Sequence, residues 1–269
     1  MSDHPRRVAL VTGAGRGIGA ATVTSLLAHG YAVVALDSCA EDGPGRPRGV
    51  DYPLASRAQL DAVAANAPAH VVPVVGDVRS RGDLEEACAA AVSRFGRLDA
   101  VVAAAAVIAG GGPLWESSPD QLQALWEVDV LGVWNTAAVA VPHLLASPDP
   151  SGARLVAVSS AAGTHGLHHL AAYTTVKHAV VGIVKGLAAD LVGTGVTAVA
   201  VAPGSTRTEM LQATAELYGL DGVDGFTQSQ LLHRLLEPEE IAATIAFCCS
   251  REAAVLNGSV VHADGGFVP

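Results

Sequence analysis

A serine, a tyrosine and a lysine with the spacing of a proton-transfer site lie in the middle of the chain. Ser160 ends the apolar run "RLVAVSS", Tyr173 follows thirteen residues later, and Lys177 lies four residues beyond it in "AYTTVKHAV". Residues four apart share one face of an α-helix, so a helix over this run places the phenol beside the ammonium. The hydroxyl of Ser160 would then hold and polarise a substrate oxygen.

The chemistry depends on what the ammonium does to the phenol. A free tyrosine titrates near pH ~10, too high to exchange protons freely at neutral pH. A positive charge about 4 Å away contributes about 4 kcal/mol at an effective dielectric of about 20, which would bring the pKa of Tyr173 toward neutrality. We therefore expect Tyr173 to be a general acid/base activated by Lys177. The alternative is a tyrosine and a lysine that merely extend from a helix surface.

A glycine-rich turn near the N-terminus has the pattern of a dinucleotide site. In "ALVTGAGRGIGAA", Gly13, Gly17 and Gly19 let the backbone turn tightly, approach a pyrophosphate and begin a helix whose first amides face the anion. Arg16 and Ile18 lie between these glycines and would border the same ligand. A glycine cluster alone is also compatible with a simple tight turn.

A carboxylate after the second apolar run strengthens that interpretation. Asp37 lies 20 residues after Gly17, where a carboxylate accepts hydrogen bonds from both ribose hydroxyls. The same charge repels a 2′-phosphate, so the sequence favours NAD over NADP. Arg16, Arg46 and Arg48 keep NADP open as the alternative.

The third apolar run ends in "GDV". Asp77 is predicted to accept a hydrogen bond from the adenine amino group, and Val78 to pack on the ring. Taken alone, Asp77 is equally compatible with a residue that forms a turn.

The elements that must position these residues alternate between strands and helices. Half of the 269 residues are hydrophobic and 16% are charged, which is enough for a large core. The strand-like runs are continuously apolar, so they are predicted to be buried on both faces of a parallel sheet that helices cover on both sides. We expect one α/β domain with about seven strands, in the runs "RVALVT", "AVVAL", "HVVPVVG", "LDAVVAA", "ARLVAVSS", "VTAVAVA" and "GSVVHA".

Charge and composition exclude several classes of protein. The net charge of −10 argues against a nucleic acid or an anionic membrane as partner. No uninterrupted run of about 18 strongly apolar residues indicates a membrane span, and no apolar signal segment follows the first methionine. The four cysteines lack CxxC spacing, the adjacent Cys248 and Cys249 are predicted to be small core residues, and the pattern fits a cytoplasmic protein.

Taken together, the motifs resemble the short-chain dehydrogenase/reductase family. The resemblance rests on "TGAGRGIG", "GDV", the Ser/Tyr/Lys set, "APGSTRTEM" and "HADGG", and it extends from Val8 to Phe267. It implies a single doubly wound Rossmann domain and hydride transfer between NAD(P) and an alcohol or a ketone. It also implies that Lys177 binds the nicotinamide ribose and that Thr206 and Thr208, which follow Pro203 and Gly204, hold the carboxamide or the phosphates.

Two departures from the family pattern concern the site. Where the family usually has Asn-Asn-Ala-Gly, this chain has Ala103–Ala106, and Ala104 would border the adenosine with weaker polar anchoring. Asp129 replaces an asparagine that is usually catalytic. A buried carboxylate near Lys177 stabilises the ammonium but opposes ionisation of Tyr173, so an alkaline pH optimum is expected.

Two long connections are predicted to cover the ligand. Residues 38–68 form an insertion directly after the ribose-binding acid, and they resemble the mycofactocin-associated branch of the family. That resemblance implies tightly bound NAD that does not exchange, and a redox partner that re-oxidises the bound NADH. The alternative is a surface loop. Residues 209–237 are predicted to form a substrate lid, whose apolar side chains suggest a hydrophobic substrate.

Remaining features concern the pocket and assembly. His165, His168 and His169 precede Tyr173 and are expected to line the pocket or to be ordinary loop residues, since no cysteine or carboxylate completes a metal site. The helix "AVVGIVKGLAADL" is apolar nearly all round, which predicts packing against a second copy in a homodimer or homotetramer.

The sequence thus predicts an NAD-dependent short-chain alcohol dehydrogenase or ketoreductase. Ser160 would orient the substrate, Tyr173 would transfer the proton and Lys177 would activate it, with no metal. A non-catalytic NAD-binding sensor or scaffold with the same fold is the alternative. A reductase of a carrier-bound ketone would need a basic docking patch, and the sequence shows no clear one.

Overall fold

A seven-stranded parallel sheet forms the centre of the molecule. The computed structural model describes residues 6–41, 43 and 45–268. The strand order is β3-β2-β1-β4-β5-β6-β7, and every neighbouring pair is parallel. The predicted doubly wound α/β fold is confirmed. The strands are Val8–Thr12 (β1), Ala32–Asp37 (β2), Val71–Val75 (β3), Ala100–Ala103 (β4), Arg154–Val158 (β5), Thr197–Pro203 (β6) and Val260–Ala263 (β7).

Helices cover both faces of this sheet. In β1, Val8 and Leu10 belong to one buried cluster, and Ala9 and Val11 belong to the other. The strands read as continuously apolar because alternate side chains enter these two cores. The α-helices of the described ranges are Gly17–Ala28 (α1), Arg57–Ala65 (α2), Arg81–Phe95 (α3), Pro119–Leu125 (α4), Gly132–Leu145 (α5), Ala171–Asp190 (α6), Glu209–Leu217 (α7) and Pro238–Cys248 (α8).

A π-helical turn joins α4 to α5. Trp126–Leu131 continues the helix without a break, so one helical rod extends from Pro119 to Leu145. By length and composition this rod could cross a membrane, but half of its most apolar window is buried in the fold. It packs against α3 and α6, which is the arrangement of a core helix. The π turn carries Asp129, which is fully buried, and such turns are frequent at functional sites.

The insertion after β2 is ordered by its own polar contacts. The Glu41 carboxylate accepts from the Leu54 amide at 2.9 Å and from the Arg46 guanidinium at 2.5 Å. Arg46 also donates to the carbonyl oxygens of Val50 and Tyr52, at 3.3 and 2.6 Å. These bonds satisfy backbone groups that lack a strand or helix partner. The irregular part of the insertion ends where Ser56 caps α2.

The topological switch point of the sheet lies between β1 and β4 and positions the candidate site. Chain order reverses between β1 and its neighbour β4, so the connections after these strands diverge to opposite sides. A crevice at the carboxyl ends of the strands is the usual ligand site of such sheets. The candidate residues after β1, β2, β3, β4, β5 and β6 therefore all meet at one edge.

Candidate functional site

One cavity of about 790 Å³ opens at the carboxyl edge of the sheet. Almost every site residue predicted from the sequence lines it. Asp129 is the exception and lies behind Lys177, which does line the cavity. The predicted residues in the lining are Gly13, Arg16, Gly17, Ile18, Gly19, Asp37, Asp77, Val78, Ala104, Ser160, Tyr173, Lys177, Pro203, Gly204, Thr206 and Thr208.

The glycine turn forms a cradle that side chains would close. A Cβ on Gly19 would lie 1.9 Å from the Gly13 carbonyl oxygen, and one on Gly13 would lie 2.7 Å from the Ala105 Cα. Gly17 has a φ of +53° and faces the cavity. Arg16 precedes α1 without capping it through its side chain, so the first amides of α1 are left for another acceptor. The turn therefore fits a pyrophosphate.

Asp37 is held rigidly at the end of β2. Its Oδ2 accepts from the Gly15 amide at 2.9 Å, and its Oδ1 accepts from the Cys39 amide at 3.0 Å. A carboxylate has further lone pairs, so it can still accept from ribose hydroxyls. Arg46 binds Glu41 and backbone carbonyls of the insertion and does not line the cavity. The guanidinium of Arg46 is thus committed to the insertion rather than to a 2′-phosphate.

Asp77 has a charged partner that the sequence analysis did not foresee. The Arg79 guanidinium donates to both carboxylate oxygens, with Nε at 3.0 Å from Oδ1 and 2.9 Å from Oδ2. Arg79 also donates to the Gly45 carbonyl at 2.6 Å, which ties the insertion to the end of β3. Both carboxylate oxygens of Asp77 already accept hydrogen bonds from Arg79, so a hydrogen bond from the adenine amino group would be an additional one.

The Ser/Tyr/Lys set assembles from two elements. Ser160 follows β5, and Tyr173 and Lys177 lie one turn apart on α6. The Ser160 hydroxyl lies close enough to the Tyr173 phenol to lower the pKa of that phenol. Tyr173 and Lys177 are only 7% and 2% exposed, yet both border the cavity. A serine, a phenol and an ammonium thus converge on one point, which excludes the simple surface interpretation of the pair.

Lys177 forms a buried ion pair with the carboxylate that replaces the usual asparagine. Lys177 Nζ lies 2.9 Å from Asp129 Oδ2, 3.5 Å from the Val158 carbonyl oxygen and 5.4 Å from the centre of the Tyr173 ring. Burial alone would lower the pKa of Lys177, but Asp129 and Tyr173 more than offset it, so the pKa is raised. The ammonium is therefore kept charged inside the protein.

The expected lowering of the Tyr173 pKa is not found, and this corrects the sequence analysis. Burial raises the pKa of Tyr173, and the negative charge of Asp129 raises it further. Lys177 and the Ser160 hydroxyl act in the opposite direction but do not prevail. Burial is the largest of these causes, and the Asp129 carboxylate, 2.9 Å from the ammonium, opposes the effect of Lys177 on the phenol.

The alanine run is anchored by a threonine on the neighbouring strand. Thr12 Oγ1 accepts from the amides of Ala104 and Ala105 at 3.1 and 3.2 Å. Thr12 is only 1% exposed, so these bonds are shielded from water. The loss of asparagine side chains in Ala103–Ala106 therefore leaves these two backbone donors satisfied.

Two further amides of the same loop bind side chains from distant elements. The Val107 amide donates to Asp129 Oδ1 at 2.9 Å, and the Ile108 amide donates to the Tyr52 hydroxyl at 3.2 Å. Neither Thr12 nor Tyr52 was predicted from the sequence as a site residue. A signal for Tyr52 existed, since it is the one aromatic residue of the insertion, 38–68.

The proline–glycine segment after β6 packs closely on the C-terminal motif. A Cβ on Gly204 would lie 2.4 Å from Gln230 Oε1 and 2.6 Å from the Asp264 carbonyl oxygen. The Thr208 hydroxyl caps α7 by accepting from the Leu211 amide at 3.2 Å. The start of α7 lies beside the glycine turn. A Cβ on Gly17 would lie 3.4 Å from the Thr208 methyl group.

The far end of the cavity is mainly apolar. The Tyr218 hydroxyl at the end of α7 donates to the His168 carbonyl at 2.6 Å and so ties residues 209–237 to the loop before α6. Two rings from this region, Tyr218 and Phe226, lie 6.1 Å apart. The apolar lining comprises Ile108, Leu167, Leu170, Met210, Leu211, Leu217, Tyr218, Leu220, Phe226 and Phe267.

The three histidines before Tyr173 differ in position. His168 and His169 line the cavity and stack on each other with ring centres 3.7 Å apart, and His169 has a φ of +54°. His165 instead faces the Phe267 ring at 5.7 Å and does not reach the lining. Over residues 6–41, 43 and 45–268 no group of three or more potential ligands could hold a metal ion.

Comparisons with known proteins agree with this geometry. A family model described as "Enoyl-(Acyl carrier protein) reductase" matches residues 13–268. The A-factor type gamma-butyrolactone 1′-reductase (1S-forming) of Streptomyces virginiae is 35% identical, over 97% of this chain and 95% of the relative. The (-)-trans-carveol dehydrogenase of Rhodococcus erythropolis is 31% identical, over 99% of each chain.

A solved structure extends the agreement to the fold. A short chain dehydrogenase from Mycobacterium paratuberculosis bound to NAD superposes with a TM-score of 0.85 at 28% identity, and 97% of each chain is covered. The family predicted from the ordered motifs is thereby confirmed. With its parallel sheet, glycine cradle and Ser/Tyr/Lys set, the chain belongs to the short-chain dehydrogenase/reductase family of oxidoreductases.

Proposed function

We propose that this oxidoreductase interconverts a secondary alcohol and a ketone with NAD as its cofactor. The observation that carries the proposal is the convergence of Ser160, Tyr173 and Lys177 at one end of a cavity whose other end holds the glycine turn and Asp37. A dinucleotide extends far enough to connect a pyrophosphate cradle with a proton-transfer site. The negative charge of Asp37 selects NAD over NADP.

When bound, NAD supplies the hydride acceptor for alcohol oxidation and, as NADH, the donor for ketone reduction. Ser160 donates a hydrogen bond to the substrate oxygen. Tyr173 accepts the hydroxyl proton of an alcohol and returns it to a ketone oxygen. Lys177 binds the nicotinamide ribose and keeps a positive charge near the phenol, and Asp129 holds that lysine in place.

The substrate is proposed to be hydrophobic. The lining beyond Tyr173 consists mainly of aliphatic and aromatic side chains from α7 and the loop before α6. Burying such a substrate stabilises its complex by about 25 cal/mol for each Å² of apolar surface removed from water. The segment 209–237 closes this end of the cavity and is proposed to be the substrate lid.

Substitution of the proposed acid/base tests whether the protein is catalytic. Tyr173→Phe should lower kcat with a panel of hydrophobic secondary alcohols by about 10²- to 10⁴-fold, the usual contribution of a general base. NAD binding, measured by calorimetry, should stay within a few-fold of wild type because the ring remains. Equal turnover of the two proteins would sink the proposed mechanism, and no turnover by the wild type would favour the sensor or scaffold.

The Asp129 carboxylate should set the pH dependence of oxidation. Burial is the largest cause that raises the pKa of Tyr173, and the charge of Asp129 raises it further, against Lys177 and Ser160. Asp129→Asn removes that effect, so the pKa of the phenol falls and the rate of alcohol oxidation should rise at lower pH than in wild type. The check is kcat measured against pH for both proteins. A profile that does not move contradicts this electrostatic role.

Retention of NAD is proposed as the function of the insertion, as in the mycofactocin-associated branch. Gly45, Pro47, Leu54 and Ala55 line the adenosine end of the cavity. The bond from Arg79 to Gly45 closes the segment over that end. Because trapped NADH could not leave, a redox partner would have to re-oxidise it in place.

Loosening the insertion should release the cofactor. Arg46→Ala removes the bonds to Glu41, Val50 and Tyr52 without touching the cavity lining. We expect wild type to keep NAD through extended dialysis, and Arg46→Ala to lose it at least tenfold faster by mass spectrometry of the retained nucleotide. Arg94→Ala, at an exposed position of α3, is the control. Immediate loss from wild type contradicts the lid.

A homodimer or homotetramer is proposed from an apolar stripe on the helical rod. Trp126, Leu131 and Trp134 are 44%, 40% and 52% exposed along one side of it. The adjoining exposed positions of α6 include Gly182 and Gly186, which permit close approach of a second copy.

Light scattering at micromolar concentration tests the assembly. Wild type should have the mass of two or four chains, and Trp134→Glu should shift it to the monomer because a charge would be buried without a partner. Trp115→Glu serves as the matched control, since Trp115 is 82% exposed outside that stripe. A monomeric wild type, or an unchanged Trp134→Glu assembly, overturns this proposal.

A further inference from the structure

One buried side chain of the insertion contacts the loop after β4, residues 104–108. Tyr52 is 8% exposed, and its hydroxyl accepts from the Ile108 amide at 3.2 Å. The Arg16 guanidinium lies 5.7 Å from the centre of the Tyr52 ring. One residue of the insertion thus contacts both the glycine-turn side and the β4 side of the cavity.

The bond to Ile108 lies next to the Lys177 ion pair. Val107, the residue before Ile108, donates to Asp129 Oδ1, and Asp129 Oδ2 faces Lys177 Nζ. Burial is the largest cause that raises the pKa of Tyr52, but Asp129 and Tyr173 also raise it, so the phenol lies within electrostatic reach of both. A continuous series of contacts therefore runs from the insertion to the ammonium.

We propose that the Tyr52 hydroxyl is a positioning group for catalysis, which fixes the Val107–Ile108 backbone and through it the Asp129–Lys177 pair. The insertion then has two separable tasks. Its backbone closes the adenosine end of the cavity. Its one aromatic side chain, Tyr52, holds the loop after β4 in place beside the proton-transfer residues.

The conformation of the loop 104–108 depends on the hydrogen bond from Ile108 to Tyr52. The loop 104–108 has no strand partner beyond Ala103, and its conformation depends on the side chains that accept from its amides. Without the Tyr52 oxygen, the Ile108 amide would be a buried donor with no acceptor, which favours a shift of the loop. Val107 and Ile108 both line the cavity, so a shift there misplaces the substrate.

Tyr52→Phe removes this oxygen and keeps the ring beneath Arg16. Tyr31→Phe is a matched control, because Tyr31 is 5% exposed, donates to the Cys249 carbonyl at 2.8 Å and has the Arg7 guanidinium 5.0 Å from its ring. Tyr31 packs in the other core and lies outside the cavity lining. Both variants lose a buried phenol oxygen, but only one loses it beside the site.

Two measurements on the NAD-loaded enzymes decide between positioning and general stability. Hydrogen exchange of the peptide that covers 104–110 should be faster in Tyr52→Phe than in wild type and unchanged in Tyr31→Phe. The kcat of alcohol oxidation should fall about tenfold in Tyr52→Phe, the rate equivalent of one hydrogen bond. Its affinity for NAD should stay within twofold, and Tyr31→Phe should keep the wild-type kcat.

The positioning role is overturned if Tyr52→Phe exchanges like wild type, if Tyr31→Phe reproduces its effects, or if the change in rate follows from weaker NAD binding. Only the turnover measurement rests on the proposed function. An absence of turnover in the wild type would end that function, whereas the exchange comparison would still decide whether Tyr52 holds the loop.

Discussion

The contact between the Lys177 ammonium and the Asp129 carboxylate is the interaction on which the rest of the site depends. Two opposite charges 2.9 Å apart in a water-excluded interior stabilise each other, and removal of either would leave an uncompensated buried charge. The pair fixes α6 against the π turn and so sets where Tyr173 lies. The pKa of the phenol is raised mainly by burial, and the Asp129 charge adds to that rise against the effect of the lysine.

Buried amides need hydrogen-bond acceptors, and this requirement determines how the loop after β4 is held at the side of the cavity. The loop after β4 carries alanines, and acceptors for its amides come from β1, from the π turn and from the insertion. Each acceptor also has a second role: Thr12 ends the strand before the glycine turn, Asp129 holds the lysine, and Tyr52 lies beneath Arg16. The departures from the family pattern are thus parts of one arrangement in which remote side chains replace local amides.

The insertion shows how a surface segment becomes part of a site. Its polar residues are used mainly to order its own backbone, with Arg46 as the centre of that network. Its apolar residues face the adenosine end of the cavity. Arg46, one of the arginines that the sequence left as candidates for a 2′-phosphate, is therefore used inside the insertion, whereas Arg16 and the carboxylate of Asp37 line the cavity.

By itself the sequence determined the sheet, its covering helices and the motif residues that line the cavity. Continuous apolar runs need burial on both faces, and Gly13 or Asp37 follows directly from the end of its strand. Only the tertiary structure decided the sign of the Tyr173 pKa, the pairing of Asp77 with Arg79, and the roles of Thr12 and Tyr52. These depend on distances between residues far apart in the chain. Local pattern predicts which face a residue takes, whereas electrostatic balance and amide pairing depend on which neighbours the fold brings within a few ångströms.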